Sequence, residues 1–344
     1  MDFDLTKLIR PNIKELNPYS SARDEFEGEA SVFLDANENP YSDLYNRYPD
    51  PHQRKLKEKI ASLKRVNEER IFIGNGSDEV IDLLFRAFCE PAVDEVLIPQ
   101  PTYGMYSVSA AINNVSVRKV TLNSSFDIDL EATLKAITSK TKLIFLCSPN
   151  NPSGNLLSPD KIISLLKKFN GLVLVDEAYI DFTSSESFIS KLTEFKNLVV
   201  LQTLSKAWGL ASLRLGMCFA SMEIISVLNK IKPPYNISGT TQAIALERLD
   251  HVETKNKQVN EILEQRRLLA KDLSNVKIVE HVYPSDANFI LTRVTAAKQV
   301  YQKLIVKGIV VRDRSNVLLC NDCLRITVGT PNENKILFDE LNKL

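Results

Sequence analysis

Net charge is the first thing this 344-residue chain lacks: 43 Lys and Arg stand against 43 Asp and Glu. A neutral total gives no long-range field to attract a polyanion, so nucleic acid and anionic membranes are not expected partners. Long apolar runs are missing too, and none approaches the roughly 18 residues of a membrane span. The opening Met1-Asp2-Phe3-Asp4 has neither the basic start nor the apolar block of a secretory signal, and a cytoplasmic location is expected. Histidine is scarce, and His52, His251 and His281 are too scattered to suggest a zinc or other metal site. Five cysteines are an odd count for a disulfide framework. Cys320 and Cys323 form a lone CxxC that runs on into a strand-like stretch, Leu324-Arg325-Ile326-Thr327-Val328, where a redox CxxC would open a helix. They are expected to be structural thiols.

What is present is ordinary globular composition, 44% hydrophobic and 25% charged, at a length that suggests about two domains. From about residue 70 to 220 strands and helices alternate, which predicts an α/β fold with a mostly parallel sheet and helices on both faces. Strands are expected at Arg70–Ile73, Glu95–Ile98, Lys142–Leu146, Leu172–Val175 and Leu198–Leu201. Asn75-Gly76-Ser77-Asp78-Glu79 turns into a helix with Val80, Ile81, Leu84, Phe85 and Phe88 on one face. Ser158-Pro159 starts another, with serine as N-cap and proline in the first turn. Residues 240–274 have no interior Pro or Gly and suggest one long helix. Beyond that, strands near 276–279, 288–291, 308–311 and 324–328, with helices around 296–307 and 332–343, predict a smaller α+β domain. The first stretch, broken by Pro11, Pro18 and Pro40, reads as an extended arm packed on the small domain or a partner. The expected division is 1–45 for the arm, 46–275 for the large domain and 276–344 for the small one.

In open parallel sheets, ligands lie at the carboxyl ends of strands. Ser77, Asp78, Asn151, Asp176, Tyr179, Ser205 and Lys206 all follow predicted strands. An apolar run ending in Asp176 and Tyr179, beside another ending in Ser205 and Lys206, suits a pyridoxal phosphate (PLP) site. Lysine would bind the aldehyde as a Schiff base, and aspartate would pair with the pyridinium nitrogen. Tyr179 would donate to the ring oxygen O3′. Asn151 could donate to the same oxygen, although taken alone its Pro/Asn-rich setting is better explained by turn chemistry. Tyr103, in Pro101-Thr102-Tyr103-Gly104, could stack on the ring or fill the core. The start of the Gly76-Ser77-Asp78 helix, the Ser205 hydroxyl and the Arg214 guanidinium are candidate phosphate donors, with the Asp78 side chain expected to point away as a cap.

These segments together resemble the fold-type-I PLP aminotransferases, and among them the histidinol-phosphate aminotransferase family, over nearly the whole chain. The stretches that carry the likeness include Leu34-Asp35-Ala36-Asn37-Glu38-Asn39-Pro40, Arg47-Tyr48-Pro49 and Gly74-Asn75-Gly76-Ser77-Asp78-Glu79. Pro101-Thr102-Tyr103-Gly104-Met105-Tyr106, Asp176-Glu177-Ala178-Tyr179, Thr203-Leu204-Ser205-Lys206-Ala207, Val311-Arg312-Asp313-Arg314 and Cys323-Leu324-Arg325-Ile326-Thr327-Val328 add to it. The resemblance implies a large PLP-binding domain, and a small domain formed by the C-terminal part with the N-terminal arm. It implies Lys206, Asp176 and Tyr179 as catalytic residues. Asn151, Tyr103, Ser77, Asp78, Ser205 and Arg214 would join them around the cofactor. It further implies a homodimer in which Tyr48 reaches the neighbouring site, and a substrate pocket lined by Tyr19, Asn151, Arg312 and Arg325. The substrates implied are glutamate and imidazole-acetol phosphate. An aromatic amino-acid aminotransferase and a threonine-phosphate decarboxylase share this architecture and stay open. Trp208 and Ser212 depart from the family pattern beside the lysine, as mild packing changes.

Overall fold

The computed structural model describes residues 3–21, 23, 30–41 and 45–344. Seven strands form the larger sheet: β1 (Ile71–Asn75), β2 (Glu95–Gln100), β3 (Ser116–Thr121), β4 (Thr141–Cys147), β5 (Leu172–Asp176), β6 (Leu198–Thr203) and β7 (Leu215–Phe219). Their order is β1-β7-β6-β5-β4-β2-β3, and β7 alone runs against the others. The central strands are buried on both faces, so they read as near-continuous apolar runs with no polar alternation. Side-chain alternation still sorts them. Ile144, Leu146, Val173, Val175, Leu198 and Val200 enter one core, which the helices Arg54–Lys64 and Pro159–Lys168 cover. Leu143, Phe145, Leu172, Leu174, Val199 and Leu201 enter the other, covered by the helices Gly76–Phe88 and Met222–Ile231. Each such fully buried side chain contributes about 1.5–3 kcal/mol, so this two-sided core holds the strand ends in place.

The smaller sheet is antiparallel: β8 (Val279–Val282), β9 (Phe289–Val294), β10 (Arg312–Asp313) and β11 (Cys323–Thr327), in the order β10-β11-β9-β8. Ile290, Leu324 and Ile326 face a third core with the helices Ala297–Val306 and Pro331–Leu341. The last helix carries a reciprocal Thr330–Glu333 capping box. An α/β fold with a mostly parallel sheet and a smaller α+β unit matches the sequence expectation.

Several local expectations give way. The long helix at 240–274 is two, Gly239–Leu249 and Val252–Leu273, separated at Asp250-His251 without any Pro or Gly. β3 and β7 carried no sequence prediction: β3 is an edge strand with exposed polar residues, and β7 lies directly behind the lysine loop. The strand expected at 276–279 begins at Val279, and the one at 308–311 is displaced to Arg312–Asp313. Ser158 occupies the N-cap position, but its hydroxyl donates to Asp127 Oδ2 (2.5 Å) and makes no cap bond. The start of the arm is also corrected. Phe3, Leu5, Leu8, Ile9 and Ile13 pack on the large-sheet core beside Gly76–Phe88, because five apolar side chains find an apolar face there.

Glycine lets the start of the helix Gly76–Phe88 lie directly on β7. Gly216 pairs with Gly74 on one side and with Thr203 on the other. A Cβ at Gly216 would lie 2.2 Å from the Ser77 amide nitrogen and 2.4 Å from the Gly76 carbonyl carbon. Both are backbone atoms, which cannot swing aside. Gly216→Ala is therefore expected to cost about 1–3 kcal/mol through overpacking, read as a lower urea midpoint at unchanged slope. A midpoint equal to that of the parent would contradict this close approach.

Candidate active site

The carboxyl ends of β1, β2, β4, β5 and β6 open into one cavity of about 640 Å³. Because β7 is reversed, its starting end reaches the same edge, and Arg214, the residue before it, arrives there too. A strand-end rule for parallel sheets alone would not place this residue. Arg214 takes a left-handed conformation (φ 50°), and its carbonyl accepts the Gly76 N–H at 2.6 Å. The Gly76 amide is thus already used, and the unpaired first-turn amides left at this helix start are those of Ser77 and Asp78.

The cavity gathers Ser77, Asp78, Tyr103, Asn151, Asp176, Tyr179, Ser205, Lys206 and Arg214 from the large sheet, and Arg312 and Arg325 from the small one. Tyr19 and Tyr48 lie outside it. Tyr19 is exposed beside a separate cavity of about 860 Å³ between the N-terminal segment and Met222–Ile231. Tyr48, half exposed, stacks on Tyr235 with centroids 4.4 Å apart, on another face.

Asp176 closes the floor. The run Leu172–Val175 buries the strand and takes the carboxylate with it. Desolvation pushes its pKa up, opposed by two hydrogen bonds. One comes from the Ala178 N–H to Oδ1 (3.1 Å), the other from the Tyr106 hydroxyl to Oδ2 (2.7 Å). Tyr106 is itself fully buried, stacked on Phe145 and edge-on to Tyr103. Sequence reasoning quoted Tyr106 within its motif and gave it no role. Tyr103 lies just before the helix Met105–Ile112 and Tyr106 in its first turn, so no helical spacing in the sequence pairs them.

Lys206 sits at the mouth, its side chain exposed in the open cavity and 5.6 Å from the Tyr179 ring centroid. Desolvation by the cavity walls lowers its pKa first, and repulsion from Arg325 and Arg214 adds to that, against Asp176 and Asp78. Tyr179, buried at the cavity wall, has its phenol pushed up by desolvation. Its oxygen accepts from Asn151 Nδ2 (3.3 Å), while Asn151 Oδ1 accepts from Arg325 Nη1 (2.6 Å). Asn151 therefore does more than turn: it links the two sheets. The preceding Asn150 fixes that turn through Pro101 O (3.0 Å) and the Ser153 hydroxyl (2.8 Å).

At the anion end, the Ser205 hydroxyl lies 3.0 Å from the Thr203 hydroxyl and lines the cavity. Asp78 departs from expectation. Its carboxylate makes no cap; it takes the Tyr103 hydroxyl (3.2 Å) and faces Arg214 Nη2 (3.4 Å). Arg314 also lines the cavity and was missed as a site residue, although Val311-Arg312-Asp313-Arg314 was in view. Cys147 reaches the cavity as a buried free thiol whose pKa desolvation raises, and Cys320 and Cys323 are likewise buried and free. Among the described residues no group of His, Cys, Asp or Glu is placed to hold a metal, and no helix is long and apolar enough to cross a membrane.

A raised carboxylate pKa has a stability consequence. Folded Asp176 binds its proton more tightly than the unfolded chain does, so the native state carries no penalty below the ordinary aspartate pKa. The penalty grows as pH rises through the folded value. Asp176→Asn removes it, since an amide can accept the Ala178 N–H and donate to Tyr106. In ligand-free protein this variant is expected to be more stable at pH 7–8 by about 0.5–2 kcal/mol, with the gain vanishing in acid. Thermal unfolding across pH checks it; a gain that persisted in acid would point to a cause other than the buried charge.

Comparisons with known proteins agree with this geometry. Residues 31–341 match the family described as aminotransferase class I and II. A histidinol-phosphate aminotransferase of Parabacteroides distasonis is 58% identical over 341 residues, 99% of each chain. Among solved structures, the histidinol-phosphate aminotransferase of Clostridium acetobutylicum superposes with a TM-score of 0.80 at 24% identity, over 86% of this chain and 90% of that one. The Sinorhizobium meliloti enzyme of that name, in complex with pyridoxal-5′-phosphate, gives 0.79 at 22%, over 86% and 82%. At such identities the structural likeness speaks for the fold.

Proposed function

The chain belongs to the class I and II aminotransferase family, and we propose that it is a PLP-dependent histidinol-phosphate aminotransferase of histidine biosynthesis. In this reading it moves an amino group between glutamate/2-oxoglutarate and imidazole-acetol phosphate/histidinol phosphate. The observation that carries the reading is one cavity holding a pKa-lowered primary amine, a buried carboxylate and a wall of arginines. The name of a 58% identical relative supports the substrate.

The residues fit the cofactor. Gly76 (φ +74°) leaves open the space before Arg214, where a Cβ would stand 2.7 Å from Nη2. That cradle, with the Ser77 and Asp78 amides, the Ser205 hydroxyl and Arg214, suits a phosphate. Asp176, buried with two donors and no cation in hydrogen-bond contact, suits a protonated ring nitrogen. Tyr179 and Asn151 suit the ring oxygen, and Tyr103 the ring face. When bound, PLP supplies an aldehyde that condenses with amines and a ring that delocalises carbanion electrons. Lys206 Nζ, deprotonated more readily than a free lysine, would supply the amine for that aldehyde. It would then move a proton between the substrate carbon and the former aldehyde carbon, in opposite directions in the two half-reactions. Asp176 would hold the proton on the ring nitrogen, while Tyr179 and Asn151 would hold the ring oxygen. Two domains, divided at about residue 275, would bring the arginines of the small sheet onto this site.

Arg325 is proposed as the anchor common to both substrates, because a guanidinium fork matches carboxylate and phosphate alike, and Arg312 supplies a second charge. We also read the chain as a homodimer. Tyr48 is held on the surface by stacking on Tyr235 and by the Glu38 carboxylate, which takes its backbone N–H (2.7 Å) and pairs with Arg23 and Arg47. Leu34, Tyr41 and Tyr45 are exposed in the same segment, an apolar surface that a second copy would cover and from which Tyr48 would reach its site. Tyr19, also exposed, would serve the substrate pocket only in such an assembly. A cytoplasmic setting fits the biosynthetic role.

An absorbance spectrum tests the whole reading. Purified protein is expected to show a visible band that bleaches with glutamate and returns with imidazole-acetol phosphate, and borohydride should fix the cofactor to Lys206. A band that bleaches with aromatic amino acids and ignores the phosphate substrate would move the assignment to an aromatic transaminase. Release of CO2 would move it to a phosphate-binding lyase. Arg325→Ala is expected to slow both half-reactions, by roughly 30- to 3,000-fold. Slowing of the glutamate half alone would defeat the common anchor.

A further inference from the structure

The arginines on the small sheet form an arrangement that the fold itself does not favour. Arg312 and Arg325 are directly opposed in the β10–β11 register, where like charges destabilise a strand pair. Arg314 lies two residues beyond Arg312, and all three line the cavity. Among the described residues none of the three has a carboxylate within ion-pair distance; Arg325 has the neutral amide of Asn151 and the Phe289 ring instead. The Nε atoms of Arg314 and Arg325 are buried without a hydrogen-bond partner. The cavity's two carboxylates are committed elsewhere, Asp78 beside Arg214 and Asp176 to Tyr106 and Ala178. What remains is an acceptor-poor, cation-rich wall.

We propose that Arg314 is a specificity-determining residue that favours a dianionic phosphate over a carboxylate; this rests on the functional reading above and deepens it. A carboxylate has two oxygens and one charge, which a single fork from Arg325 already satisfies. A phosphate monoester has three terminal oxygens and close to two charges, so it can employ Arg325, Arg312 and Arg314 together. The third guanidinium therefore adds little for glutamate and much for the phosphate substrate. Two unlike substrates share one anchor and are told apart by the charge that each places on that anchor. The side chain is free for this role because only the Arg314 backbone is engaged in the fold, its N–H donating to Cys323 O (2.8 Å) and its carbonyl accepting from Val317 (2.8 Å).

The test compares Arg314→Gln and Arg314→Lys with the parent holoenzyme. Single-turnover half-reactions are followed with glutamate and with histidinol phosphate. Inhibition by inorganic phosphate is titrated between pH 6 and 8. In Arg314→Gln the ratio of the two specificity constants is expected to shift against histidinol phosphate by roughly 10- to 100-fold, the worth of one hydrogen bond between charged groups. Parent inhibition by phosphate should strengthen as phosphate takes its second charge, and that dependence should flatten in Arg314→Gln and partly return in Arg314→Lys. An unchanged ratio, or an equal loss in both halves with phosphate inhibition intact, would overturn the role of Arg314 alone. A parent protein that turns over glutamate and ignores histidinol phosphate would overturn the functional reading, and this role with it.

Discussion

A carboxylate buried at the end of β5 sets the terms for the cavity around it. Asp176 is desolvated, and two neutral donors hold it at opposite oxygens. One donor is backbone and follows from the turn itself. The other, the Tyr106 hydroxyl, stays in place only because its ring is packed between Phe145 and Tyr103. From there contacts run on: Tyr103 to Asp78, Asp78 to Arg214, and the Arg214 carbonyl to the Gly76 amide. An acidic floor and an anion-binding end are joined by one chain of side chains, so displacing Tyr106 disturbs both. Such a network carries more than the sum of its pairs, because each member fixes the geometry of the next.

The large sheet brings the buried carboxylate, the lysine and Arg214 to the cavity, and the small sheet brings Arg312, Arg314 and Arg325. This division follows from strand chemistry. On β11, Leu324 and Ile326 turn toward the third core, and alternation sends Arg325 to the opposite face. Asn151 bridges the halves, donating to Tyr179 and accepting from Arg325. A single amide thus couples the Tyr179 phenol to the Arg325 guanidinium. Its orientation is set by these neighbours, since only one way round offers a donor to the phenol and an acceptor to the guanidinium.

Much of this was legible in the residues. The apolar runs marked five of the seven strands of the large sheet, missing β3 and β7, and the rule that sites gather at carboxyl ends placed Asp176, Tyr179, Asn151, Ser205 and Lys206 together. Arg214 was found through its motif, while the reason for its position, a reversed β7, was hidden. Leu215–Phe219 is as apolar as its parallel neighbours, and composition carries no direction. The same limit hid the break at Asp250-His251, where tertiary packing overrides helix propensity. Tyr106 was invisible as a partner of Asp176 because the two are 70 residues apart and meet only across the packed sheet. Tyr19 and Tyr48 stand apart from the cavity, and in the proposed homodimer they would meet it only through a second copy of the chain.

The arginine wall shows how a fold can carry an arrangement that opposes it. Like charges across a strand pair cost some tenths to about 1 kcal/mol, and a buried donor without an acceptor about 1–3 kcal/mol. Against this, the third core buries thirteen apolar side chains, from Leu269 to Leu341. At about 1.5–3 kcal/mol for each of the larger ones, their burial exceeds the local cost several-fold. The small sheet can therefore present guanidinium groups already gathered and short of acceptors, without unfolding. An incoming anion then need not organise its site; it meets positive charge whose mutual repulsion its own charge relieves, and the relief grows with the number of charges it brings. In the proposed role, affinity and discrimination would come from the same unmet potential, since this wall holds no carboxylate of its own among the described residues.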